Sequence, residues 1–161
     1  EADGRIGAWG MWWAELAHAA FEADQPQTAW NYLTQVVDAL PVSGLLHEHN
    51  QDVAGADGMI RHVTLNLFGF AYLPPAVIRG FAGYGFDARS GQYFFRPQIP
   101  AALDTVRSRV KISQTWFDVT ASGSGADYAE FTIDGQTQST GGLLDPRWLD
   151  GDRHEVVIRM K

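Results

Sequence analysis

The chain has 161 residues, 45% apolar and 19% charged, enough for one ordinary domain or two small ones and too apolar for a disordered segment. Its net charge is −7 and its twelve Lys and Arg are scattered, so nucleic acid and anionic membrane are poorly matched partners, and no stretch approaches the roughly 20 apolar residues of a membrane span. With no cysteine, disulfides and thiolate metal sites are excluded, and the compartment is left open.

Residue 1 is Glu, no signal-like segment precedes the first helical pattern, and the opening therefore reads as a cut inside a longer polypeptide. Trp9, Trp12, Trp13, Leu16, Ala17 and Ala20 fall at the spacing of one helix face. Asp24-Gln25-Pro26 supplies a turn and a helix start, with Asp24 as the expected N-cap and Pro26 close to the first helical position. A second helix is predicted from about Gln27 to Leu40, with an apolar face of Ala29 or Trp30, Leu33, Val36, Val37 and Leu40, and Pro41 as its stop. The two form an antiparallel hairpin, about 20 Å long at 1.5 Å per residue, that returns the chain to the end where Trp9 lies.

Residues 41–61 are a long connection rich in Gly, Asp, His and Asn, a kind that is commonly functional. A third helix is expected from about His62 to the Pro74-Pro75 pair. After Gly80 the pattern changes to Gly-punctuated strands. The segment Gln92 to Pro100 reads as an extended connector. Val110 to Ile112, Thr115 to Thr120, Ala129 to Ile133 and Glu155 to Met160 read as strands, and Asp134-Gly135 as a hairpin turn. Asp134-Gly135 and Leu149-Asp150-Gly151-Asp152 are turns, with a weak calcium site as their functional alternative. His18 and His154 read as structural or exposed.

The densest polar cluster is the run Gly44-Leu45-Leu46-His47-Glu48-His49-Asn50-Gln51-Asp52. The hairpin places it at the same rim as Arg5 to Trp13 and as Arg61-His62-Val63-Thr64-Leu65-Asn66. His47, His49, Asp52 and His62 offer a second chemistry, since His-x-His near a carboxylate suits zinc or a harder cation.

The runs AWGMWWAELAHAA, SGLLHEHNQD, RHVTLNLFGFAYLPPAVIRGFAGYGFD and RPQIP resemble the last turns of (α/α)6-barrel glycoside hydrolases, above all the bacterial α-L-rhamnosidase-like group, with glucoamylase-like barrels as competitor. The likeness spans about residues 5–100. It implies an α+β chain in which residues 1–83 are C-terminal helices of the catalytic barrel and residues 84–161 a small antiparallel β-sandwich module. It further implies that Glu48 is the general base activating water, with His62, Thr64 and Asn66 at the matching helix start. The aromatic usual beside that Glu is replaced by His47 and His49.

Inverting glycoside hydrolysis needs two carboxyls about 6.5–9.5 Å apart, so the acid is expected before residue 1 and the chain alone is expected to be inactive. Trp9, Trp13, His47, His49, Asn50, Asp52 and His62 are the candidate substrate-binding residues. No cofactor or metal is expected. The expected partners are a carbohydrate and, to cover the helices, the missing part of the barrel or another copy of the chain. The reading from a different class is a non-catalytic carbohydrate-binding or accessory module carried by the strands.

Overall fold

The structure, a computed structural model, describes residues 10–43, 67–139 and 141–161. Helix α1 spans Gly10–Glu22 and buries Ala14, Ala17, Ala20 and Phe21. This stripe is turned slightly from the predicted one: Leu16 is exposed and Trp13 half-buried.

Asp24 is not the N-cap of the second helix. It adopts φ 55° as the left-handed residue that ends α1, with Gln25 N–H bonding to Ala20 O at 2.9 Å and Asp24 N–H to Phe21 O at 3.1 Å, the paired bonds of a Schellman cap. Gln25 O accepts from Ala29 N–H instead, and Pro26 opens α2, Pro26–Ser43, where its missing N–H costs nothing. The expected stop at Pro41 is corrected as well, because the helix runs to Ser43.

Helix α3, Leu67–Val77, passes through Pro74 and Pro75, where an end was expected. Proline keeps a helical φ but forfeits a bond to the preceding turn and crowds its carbonyl, while Ala76 is fully buried in one cluster with Ala17, Ala20 and Phe21 and holds the segment down. The chain then widens into a π-helical stretch, Ile78–Ala82, and ends at Gly83 with φ 65°. Gly80 lies on the Phe21 ring, where a Cβ would overlap it. No helix among the described residues is long and apolar enough to cross a membrane.

The supposed connector is partly a strand: β1, Tyr84–Asp87, pairs with β2, Gln92–Phe95, in an antiparallel hairpin. Five more strands form one sheet: β3 Thr105–Ile112, β4 Thr115–Gly123, β5 Tyr128–Ile133, β6 Gln136–Thr137 and β7 Arg153–Met160. Their order is β3-β4-β7-β5-β6. The final strand inserts between β4 and β5, parallel to β4 and antiparallel to β5.

The expectation of a wholly antiparallel module is thereby corrected to a mixed sheet. Alternating strand residues explain the layering: Phe117, Val119, Phe131, Ile133, Val156 and Ile158 all face one side and are buried. Phe95 of the hairpin packs edge-on against Phe117 at 5.5 Å between centroids. The chain is thus a mixed α+β protein of three helices, a two-stranded hairpin and a five-stranded sheet.

Candidate functional site

Of the residues singled out in the sequence, Trp13 lies in α1 and is half-buried. Trp9, His47, Glu48, His49, Asn50, Asp52 and His62 lie outside the described residues. The helices that flank them are described, and their directions bear on the site. α2 returns antiparallel to α1 across the turn at Ala23–Gln25.

α3 runs parallel to α1, since His18 and Pro74 line one groove while Arg79, further on, bonds Glu22 through Nη2 at 2.8 Å. Gly10, Ser43 and Leu67, which follow Trp9, precede His47 and follow His62, therefore lie toward one end of the helical layer.

At the opposite end the helices meet the strands through polar contacts. Arg96 N–H donates to Gly83 O at 2.7 Å and Gln98 N–H to Gly80 O at 2.9 Å. The buried Gln98 side chain reaches further: its Nε2 donates to Phe21 O at the end of α1 and to Asp24 Oδ1 at 3.1 Å, while its Oε1 has no partner among the described residues. The guanidinium groups of Arg79 and Arg96 each lie over the Phe94 ring, 5.0 Å from its centre.

These groups line a cavity of about 110 Å³, roomy and polar enough for a few ordered waters. A shallower groove of about 620 Å³ lies alongside, between His18, Pro74 and Ile78 of the helical side and Tyr84 and Phe86 of the hairpin.

A third polar constellation lies within the β-module. His154, 6% exposed, sits between two turn carboxylates: Nδ1 is 2.7 Å from Asp134 Oδ2 and Nε2 is 3.0 Å from Asp150 Oδ1. With an acceptor at each ring nitrogen, the fully bonded form is the imidazolium. Burial opposes that charge, but the two carboxylate hydrogen bonds outweigh it, and the pKa is raised. Asp134 is lowered first by its bond to His154, and Asp150 first by the Asp152 N–H and then by His154.

The Thr115 hydroxyl oxygen accepts from Gly151 N–H at 2.8 Å and closes the same turn. The ring of Trp148 meets His154 edge-on at 5.1 Å. Both ring nitrogens of His154 are engaged in joining the 134–135 and 150–152 turns, so the cluster works as an ionic clasp. Of the Asp134, Asp150 and Asp152 turns offered by the sequence as a calcium site, Asp134 and Asp150 are bonded to His154, and the described residues hold no group of three or more His, Cys, Asp or Glu placed to bind a metal.

Sequence reasoning missed Arg79, Gln98 and the clasp. Only the clasp had a visible signal, a strand His four residues after Asp150 and opposite an Asp-Gly turn. Compared with known protein families and with curated proteins, the chain matches none.

Proposed function

We propose that the chain belongs to a glycoside hydrolase, that residues 1–83 are helices of an (α/α)6 catalytic barrel and residues 84–161 its C-terminal β-sandwich module, and that Glu48 is the general base of an inverting reaction. The observation that carries the reading is the direction of the three helices, which turns Gly10, Ser43 and Leu67 toward one end of the layer. Trp9 directly precedes Gly10, His47 follows Ser43 by four residues and His62 precedes Leu67 by five, which supports the reading that the three segments share one sugar subsite.

The exposed apolar side chains of the helices give support of a different kind. Leu16, Val37, Tyr72, Val77 and Ile78 all stand open, as they would on helices whose neighbours in a closed barrel cover them.

In this mechanism Glu48, as carboxylate, takes a proton from water on the face of the sugar opposite the leaving oxygen, and a second carboxyl from another part of the barrel protonates that oxygen. Trp9 and Trp13 offer flat apolar surfaces to the sugar ring, and His47, His49, Asn50, Asp52 and His62 offer hydrogen bonds to its hydroxyls. The partners are a carbohydrate substrate and the rest of the barrel; no cofactor enters the reaction.

Glu48→Gln in the polypeptide that carries the complete barrel is expected to lower kcat about 10²–10⁴-fold with an unchanged circular dichroism spectrum. Near-normal turnover of that variant would sink the assignment. Proton NMR of the first-formed sugar should show the anomer opposite to that of the substrate.

A further inference from the structure

The face of the five-stranded sheet turned away from the core is open and cationic. Alternation along the strands puts Arg107, Arg109 and Lys111 of β3, Trp116 of β4, and Arg153 and Arg159 of β7 on this side. Five of the twelve Lys and Arg of a chain with net charge −7 therefore lie on one sheet face, against three carboxylates, Asp118, Glu130 and Glu155.

The pairing register groups them. Lys111, Trp116 and Arg153 stand in one row across β3, β4 and β7, and Arg109, Asp118 and Glu155 in the next. Trp116 is 41% exposed, with the Lys111 ammonium 5.5 Å from its ring centre. Asp118 bonds both Arg109, at 2.7 Å, and Arg153, which fixes two guanidinium groups beside the indole. Among the described residues Arg107 and Lys111 have no carboxylate within ion-pair reach. Cations on an edge strand discourage sheet-to-sheet pairing, but that role calls for neither an exposed indole nor the arginines of the third strand in.

We infer that this face binds an acidic polysaccharide, one whose sugar rings each carry a carboxylate, with Trp116 stacking on a ring and Arg107, Lys111 and the flanking arginines pairing with the carboxylates. Successive outward residues of a strand lie about 6.8 Å apart, a spacing suited to one charge per sugar ring. A guanidinium held by Asp118 still has donors free for a second carboxylate. The inference goes beyond the hydrolytic reading and does not use Glu48, and its test reads binding without turnover, so either can fail alone.

Affinity electrophoresis of the chain through gels containing polygalacturonate, neutral dextran or no polymer is the direct test, with oligo(dT) as competitor. Retardation is expected in polygalacturonate only, weakening as salt rises from 50 to 200 mM. Trp116→Ala and the double variant Arg107→Glu/Lys111→Glu are each expected to weaken binding about tenfold while keeping the native circular dichroism spectrum. Absence of retardation in polygalacturonate overturns the proposal, as does binding that both variants retain. Tighter binding of oligo(dT) than of polygalacturonate also overturns it, in favour of a nucleic-acid surface.

Discussion

Around Phe117 the strands bury Phe95, Phe131, Ile133, Trp148 and Ile158, whereas the helices around Ala17 bury Ala14, Ala20, Ala29 and Ala76 beside Phe21, Leu33 and Val36. A buried Phe or Ile contributes roughly 1.5–3 kcal/mol, and an alanine methyl less than about 1. The strands thus close a core of large side chains among themselves. The helices approach one another over small residues and leave Leu16, Val37 and Ile78 facing outward. Among the described residues the strands thus close the larger core, and the helices keep more of their large apolar side chains outside theirs.

The largest effect expected from that contrast is at Phe117, fully buried against Phe95 and near His154. Phe117→Ala is expected to cost about 3–5 kcal/mol and to lower the urea midpoint of the strand signal. Hydrogen exchange should show the amides of β4 and β7 as the slowest in the chain. If the amides of α1 and α2 exchange more slowly than those of β4 in the unaltered protein, the contrast between the two regions is wrong.

How far this was legible in the sequence follows the same division. Period-two alternation around Phe117, Phe131 and Ile158 marked the main strands, because one face of each is buried and the other is wet. Period 3.6 marked the helices and put Ala17, Ala20, Ala29, Leu33 and Val36 on the buried side, but it also put Leu16 and Val37 there, which are exposed, because it favours large residues where the α1 contact is made by alanines. The helix ends were misread at Asp24, where the paired bonds of a local cap end α1 instead, and at Pro74, where burial of Ala76 in the cluster of Ala17 and Phe21 outweighs local propensity; Pro41 lies inside α2 with no contact that explains it. The parallel insertion of β7 has no local signal, because register between strands some forty residues apart is not written in either one. Of the candidate site, Trp13 alone falls within the described residues, and the cluster around Glu48 remains the part that the sequence carries by itself.

A smaller effect sharpens the account of the β-module. His154 has its pKa raised by Asp134 and Asp150, against the opposing pull of burial, so its contribution to stability is complete below the usual histidine value of about 6.5 and fades as pH rises through the higher folded value. The lowered carboxyls of Asp134 and Asp150 act in the opposite sense: their contribution is complete above about 3.9 and fades as pH falls through their folded values. The clasp is therefore strongest between about pH 4 and 6.5. With both carboxylates partly exposed, His154→Gln is expected to cost about 1 kcal/mol at pH 5.5 and less at pH 9, followed by thermal melts at each pH. Equal losses at the two values would show that the His154 charge does not matter.

The smallest effect tests the other side of the comparison. Val37 is 56% exposed on α2, so Val37→Ser removes little buried contact and is expected to change stability by less than about 0.5 kcal/mol. A larger loss that grows with protein concentration would mean that a second copy already covers the face, because a substitution in a dimer contact weakens association along with folding. In a polypeptide carrying the complete barrel, the same substitution should become costly, approaching the penalty for a buried valine replaced by a hydroxyl. A helical layer that tolerated Val37→Ser equally in both settings would not be a barrel wall, and its exposed apolar residues would then be ordinary surface.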